Sequence, residues 1–168
     1  FTFTCGKIYH DGSIPPRLRD TEFQQWGPAP GMPRPATRFA ALIRRVAELR
    51  SIGVVVIGGP EERDHAEAVV PPGLPVANLV GRLTLKQLAA LLARARLLVS
   101  NDSGPVHLAV AVKTKTRVLF GASSPATGPR RWGPWGEGHA IIWKPSMESI
   151  SVDEVFAALQ QQLSRSVK

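Results

Sequence analysis

A single cysteine, Cys5, stands among 168 residues, so no internal disulfide can form and a reducing compartment suits the chain. No apolar run reaches the ~18 residues that a membrane span needs. The opening "FTFTCGKIYHDG" has neither the basic start nor the long apolar stretch of a signal peptide. An initiating Met is also missing, and the chain is expected to be a fragment. Metal-ligand spacing is absent: His10, His65, His107 and His139 are scattered, with no cysteine cluster near them. The chain has no G-x-x-x-x-G-K-[ST], no G-x-G-x-x-G and no G-x-S-x-G, so it carries none of the Walker, dinucleotide or hydrolase-elbow signatures. It shows no internal repeat and no low-complexity segment. Acidic residues are few, 13 against 21 Lys and Arg, giving a formal net charge of +8. That balance favours phosphates, nucleic acid or an anionic membrane as partners, unless arginines simply coat solvent-facing helices such as "IRRVAELR". Nucleic acid fits poorly, because the basic residues are not clustered with interleaved aromatics.

What is present is an ordinary globular composition, 43% apolar and 7% aromatic, in a length that fits one domain with a full core. Strand-like and helix-like segments alternate. "FTFTC" (1–5) is weakly strand-like, and residues 6–36, with four prolines in "WGPAPGMPRP", suit no regular element. From about Thr37, Phe39, Leu42, Ile43, Val46 and Leu49 recur at helical spacing. "VVVIGG" (54–59) predicts a buried strand, "EERDHAEAVV" a short helix and "PVANLVG" a short strand. "TLKQLAALLARA" (84–95) predicts a helix opened by a Thr84–Gln87 capping box. "RLLVS", "TRVLFG" and "HAIIW" read as strands, and "GPVHLAVAV" as a helix. Residues 121–138, with five glycines and three prolines, predict a long loop. Ser151 and Glu154 suggest a second capping box, before a helix whose face is Val152, Val155, Phe156, Leu159 and Leu163. Strands separated by single helices imply parallel pairing, and their continuous apolar runs imply helices on both faces. The expected fold is a three-layer, Rossmann-like α/β domain with a mainly parallel sheet, whose ligands sit beyond the carboxyl ends of the strands.

Two strand ends offer chemistry. In "VVVIGGPEE", Gly58 and Gly59 admit close backbone approach, and Glu61 stands at a helix start. Glu61 either stabilises that helix through its dipole or accepts hydrogen bonds from a ribose. In "SNDSGPVHLA", Asp102 or Ser103 can cap a helix, Gly104 removes bulk, and Pro105 suits a first turn. The amides of Ser103, Gly104 and Val106, with His107 close by, would then make a phosphate site. In "GASSPATGPRRWGPWGEG", Ser123, Ser124 and Thr127 can donate hydrogen bonds, and Arg130 and Arg131 can meet negative charge. Otherwise this is a rigid surface loop with Trp132 and Trp135 packed beneath it, or those rings face another domain or a membrane interface.

In order and spacing, "VVVIGGPEERDHAE", "LVGRLTLKQLAALLARARLLVSNDSGPVHLAVAV", "RVLFGASSP" and "KPSMESISVDEV" resemble the C-terminal half of the ADP-heptose:lipopolysaccharide heptosyltransferase family, glycosyltransferase family 9. The likeness runs from about Pro35 to Leu163 and is most specific at Asp102-Ser103-Gly104-Pro105-Val106-His107. It implies the C-terminal, donor-binding half of a GT-B fold, with residues 1–34 as a poorly matching lead-in and residues 35–168 as the nucleotide-sugar-binding domain. The implied donor is ADP-heptose, whose heptosyl group would pass with inversion, and without metal or other cofactor, to the lipopolysaccharide core as ADP leaves. The Ser103 and Gly104 amides and His107 would contact the diphosphate, with Asp102 and Pro105 also in the donor site. Glu61 would take the ribose, with Gly58 and Gly59 also in the donor site, and residues from Gly81 to Leu83 would line the base pocket. The general base would lie in an N-terminal domain absent from this chain, which alone should transfer sugar poorly or not at all. A lipid-linked saccharide acceptor, that missing domain and peripheral contact with an anionic membrane are the implied partners, with no nucleic acid. The implied location is cytoplasmic, at the inner membrane. One departure stands out: Met32 and Arg34 fall where the family carries a lysine and a tryptophan. The competing reading is a non-catalytic nucleotide-binding or interaction module derived from the family.

Overall fold

A computed structural model describes residues 2–4, 35–49, 52–63, 66, 69–70, 72–121 and 128–164, with only the backbone at 2–4, 35–37 and 164. Cys5, Lys7, His10, Met32, Arg34, His65, Ser123, Ser124 and Thr127 lie outside the described residues. Among the described residues six strands form one sheet: β1 (Thr2–Thr4), β2 (Val54–Ile57), β3 (Val76–Asn78), β4 (Leu98–Asn101), β5 (Thr116–Gly121) and β6 (Ala140–Lys144). Their spatial order is β3-β2-β1-β4-β5-β6 and every pairing is parallel. This is the Rossmann order, in which the chain works outward from β1, returns to its other side, and works outward again.

Among the described residues, the helices α1 (Pro35–Glu48), α2 (Leu85–Arg94), α3 (Gly104–Ala111), α4 (Pro129–Trp132) and α5 (Val152–Ser164) accompany the sheet. Their apolar stripes divide the core in two. On one face Phe39, Leu42, Ile43 and Val46 of α1 and Val155 and Leu159 of α5 meet Val54, Val56, Val99, Leu119 and Ile142. On the other, Leu92 of α2 with Val106 and Ala109 of α3 meet Ile57, Leu98, Val118 and Phe120. Successive strand residues thus serve opposite layers, which is why the strands read as unbroken apolar runs. The crossovers on the β1–β3 side lie on the first face and those around β4 on the second. Right-handed crossovers require that change of face when the chain reverses direction.

Local chemistry fixes the helix ends. Gln87 N–H donates to Thr84 Oγ1 at 3.3 Å and Thr84 N–H to Gln87 Oε1 at 2.9 Å, which is the expected capping box. At α5, Ser151 Oγ accepts from Glu154 N–H at 3.1 Å. The Glu154 carboxylate meets Lys144 Nζ at 3.1 Å, so the second box is half built. Three elements differ from the sequence reading. Helix α1 opens at Pro35, a residue suited to a first helical turn. The helix expected from Glu61 opens as a 3-10 turn (Pro60–Glu62), with Arg63, Ala66 and Val69 helical beyond it. Within the expected 121–138 loop, Gly128-Pro129 starts the one-turn helix α4, and Gly133 ends it.

Candidate functional site

The centre of the sheet sets the geometry. Thr4 of β1 stands opposite Ile57 of β2, and Phe3 opposite Val99 of β4, so the carboxyl ends of β2 and β4 flank that of β1. The segments beginning at Gly58 and Asp102 therefore emerge two strand spacings apart, roughly 10 Å. The crevice between them lies where the strand order reverses, the place where open α/β sheets take ligands.

On the β2 side, Gly58 O accepts from Gly81 N–H at 3.0 Å, which brings the ends of β2 and β3 together. Gly81 has φ +64°, a left-handed conformation that side chains resist, and a Cβ there would stand 2.8 Å from Pro60 Cα. Arg63 Nη2 donates to Gly81 O at 2.7 Å. Gly58, Gly59, Glu61 and Gly81 thus form one cluster, with half-buried Leu83 two residues further on. The two adjacent glutamates part company. Glu62 is buried, and its Oε2 accepts from Gly59 N–H at 2.6 Å while its own N–H donates to Gly59 O. Glu61 is exposed. The space beside the two glycines is filled from within the chain: a Cβ on Gly58 would lie 2.5 Å from Glu62 Oε2, and one on Gly59 2.6 Å from Glu61 Cδ. These glycines first of all make room for two carboxylates.

On the β4 side, Ser103 holds the N-cap position of α3 in extended backbone, yet its hydroxyl does not cap the helix. It turns inward, 2.8 Å from Ser100 Oγ, and both serines are buried. Of the two caps the sequence allows, Asp102 or Ser103, the Ser103 hydroxyl is taken instead by a buried hydroxyl pair that pins β4 to the start of α3. Val106 N–H donates to Ser103 O at 3.0 Å, so this amide does not point at an anion as expected. Pro105 has no N–H, which leaves the Gly104 amide at the mouth of the helix. Gly104 is exposed, with nothing within 4 Å of where its Cβ would stand. His107 is exposed in the first turn, and Asp102 half-buried just before it. Asn101 Oδ1 is a buried acceptor with no hydrogen-bond partner. Among the described residues no group of three or more His, Cys, Asp or Glu is placed to hold a metal.

The family model of glycosyltransferase family 9 (heptosyltransferase) matches residues 34–159. The chain belongs to this family. Among curated relatives, it is 34% identical over 112 residues to lipopolysaccharide heptosyltransferase 3 of Escherichia coli, covering 63% of this chain and 31% of that protein. To lipooligosaccharide heptosyltransferase 2 of Campylobacter jejuni it is 42% identical over 89 residues, 51% of this chain and 28% of that protein. The family 9 chain thus spans about a third of the length of these relatives. Among solved structures it superposes on E. coli ADP-heptose lps heptosyltransferase II with a TM-score of 0.74 at 18% identity, covering 99% of this chain and 47% of that one. On E. coli heptosyltransferase WaaC with ADP the TM-score is 0.72 at 19% identity, covering 96% and 44%. The Rossmann-like parallel α/β fold is therefore that of heptosyltransferases.

Sequence reasoning missed Ser100, Glu62 and Arg63. The signals were faint: a serine closing an apolar strand three residues before another, and a Gly-x-x-Glu that works as a capping box without a hydroxyl.

Proposed function

We propose that this family 9 chain is the donor-binding, C-terminal half of a GT-B glycosyltransferase that holds a nucleoside-diphosphate sugar, with ADP-heptose as the donor. The observation that carries the reading is the pairing of the Asp102–His107 turn with the Gly58–Glu61 turn across the end of β1. A diphosphate seated at the mouth of α3 gains from the Gly104 amide, the helix dipole and the His107 ring. As the sugar–phosphate bond breaks, charge grows on the departing diphosphate, and the same groups stabilise it. Exposed Glu61 accepts from the ribose hydroxyls, and the Gly81–Leu83 segment borders the base. The general base belongs to an adjoining N-terminal domain, which also presents a lipid-linked saccharide of the lipopolysaccharide core. The transfer inverts the anomeric centre without a metal and takes place on the cytoplasmic side of an anionic membrane. No helix among the described residues is long and apolar enough to cross a membrane, so contact with that surface is peripheral in this reading.

The test is thermal stabilisation by ADP, UDP, GDP and an ADP-sugar. ADP at about 100 times its dissociation constant should stabilise the fold by ~2.7 kcal/mol. Gly104→Leu fills only open space in the protein, so it should fold normally and lose the ADP effect. Absence of any nucleotide-dependent shift in the parent chain would refute donor binding. Nucleotide binding without sugar transfer, even with the adjoining domain supplied, would favour a non-catalytic module.

A further inference from the structure

Four large apolar side chains are exposed in one region: Trp135 (82%), Trp143 (51%), Trp132 (45%) and Ile141 (39%). The topology explains why. β6 is an edge strand, and Ile142 points into the α1/α5 layer, so Ile141 and Trp143 point to the opposite face. On that face α3 covers β5, but the connection from β5 to β6 contains only the four-residue α4 among its described residues. Gly133, just past α4, lies against the strand: a Cβ there would stand 3.2 Å from Ile141 Cδ1. Among the described residues the short helix of this crossover leaves Ile141 and Trp143 partly exposed at the sheet margin, and Trp132 and Trp135 add to it.

The charges around this margin are one-sided. Arg130 and Arg131 are exposed on α4, with the Arg131 guanidinium 5.3 Å from the Trp132 ring centroid. Lys115 lies at the far end, its Cγ 3.4 Å from where a Gly138 Cβ would be. Glu137 is the single acidic residue between Gly128 and Lys144. Lys144 and Arg117 turn to the other face, toward Glu154 and toward Ala158 O and Gln162 of α5.

We infer that this margin is a docking surface for an anionic lipid bilayer. Tryptophan suits the membrane–water interface because its ring is apolar and its N–H finds water or headgroups. Flanking Arg and Lys supply attraction to anionic headgroups. The patch runs along the sheet margin from Trp143, near the carboxyl end of β6, back to Lys115 at the amino end of β5, two strands to the side of the crevice beside β4. The inference deepens the peripheral contact proposed above and rests on that reading for a membrane-bound acceptor.

The test is co-sedimentation of the purified protein with phosphatidylglycerol-containing vesicles and with phosphatidylcholine vesicles, alongside tryptophan emission. Binding to the anionic vesicles only, with a blue shift, is expected. Trp135→Ala/Trp143→Ala should weaken it about tenfold by the apolar area lost. Arg130→Ala/Arg131→Ala should weaken it about 30-fold at low salt. No vesicle binding, or binding unchanged in both variants, overturns the inference. So does a concentration-dependent dimer, or capture of the adjoining domain, that Trp135→Ala abolishes in the absence of lipid effects. The ADP-dependent thermal shift separates the two readings: the tryptophan variant should keep it. Vesicle binding without that shift removes donor binding alone, and the shift without vesicle binding removes this inference alone.

Discussion

Glu61 and Glu62 are neighbours with the same side chain, yet one is exposed and the other buried. Glu62 is buried and holds the Gly59 amide at 2.6 Å. A hydrogen bond to a charged group contributes ~1.5–3 kcal/mol, so Glu62→Ala should cost about that much stability. For a chain of this size that is a fall in Tm of roughly 4–10 °C. Glu61 is exposed, and Glu61→Ala should change stability by no more than about 0.5 kcal/mol. Binding reverses the order. If Glu61 accepts from the ribose, its loss removes ~1.5–3 kcal/mol of affinity and raises the ADP dissociation constant about 10- to 100-fold. At an ADP concentration that stabilises the parent by ~2.7 kcal/mol, the variant should then gain only ~0.4–1.4 kcal/mol. Thermal melts with and without ADP, with titration calorimetry on both variants, read both effects. The reasoning is refuted if Glu61→Ala keeps the parent's ADP stabilisation, or if Glu62→Ala melts no lower than Glu61→Ala.

Three further outcomes follow from particular residues. Gly81→Ala places a Cβ on a backbone at φ +64° and 2.8 Å from Pro60 Cα, and should destabilise by about 2 kcal/mol or more, read as Tm, while weakening ADP binding. Lys113 ends α3 at φ 62°, with its N–H on Val110 O and that of Thr114 on Ala109 O, an arrangement that favours glycine. Lys113→Gly should therefore raise stability by about 0.5–1 kcal/mol, measured by urea unfolding. His139 is held below the usual histidine range by burial, its Nδ1 3.0 Å from Thr116 Oγ1. A lowered folded pKa means the unfolded chain binds more protons between that value and about 6.5, so stability rises with pH across this window and levels above it. Tm measured from pH 5 to 8 should fall below about pH 6.5 in the parent and fall less in His139→Gln.

The fold was legible because its signals were redundant. Apolar runs such as Val54–Ile57 and Leu98–Val99, each followed by a helical stripe, permit few arrangements other than a parallel sheet with two covered faces. The candidate site was legible as an address rather than as a set of contacts. The residues at the ends of β2 and β4 could be named, because turn chemistry marks strand ends in sequence. Which side chain turns inward could not, because burial is decided by elements distant in sequence. Ser103 reads as a cap, yet Ser100 on the preceding strand offers its hydroxyl a buried partner at 2.8 Å, and that contact takes it. Likewise Glu61 and Glu62 are indistinguishable in "GGPEE" until the 3-10 turn points one at the Gly59 amide and the other outward.

The same contrast bears on Trp132 and Trp135. A Pro/Gly-rich segment with aromatics reads equally well as a loop clamped over buried rings, and the aromatic content alone favours burial. What goes with their exposure is the shortness of the helix among the connection's described residues. A crossover of this kind must return from the carboxyl end of β5 to the amino end of β6, and a helix of ordinary length along that path would cover Ile141 and Trp143. Among the described residues of that path the helical turn is Pro129–Trp132, and Trp135 beyond it is 82% exposed. A helix of about ten residues substituted there should bury Ile141 and Trp143 and raise Tm, since apolar area returns to the core at ~25 cal/mol per Å². If the margin serves a membrane, the gain in stability should come with loss of vesicle binding. An uncovered margin of no use would show the first effect without the second.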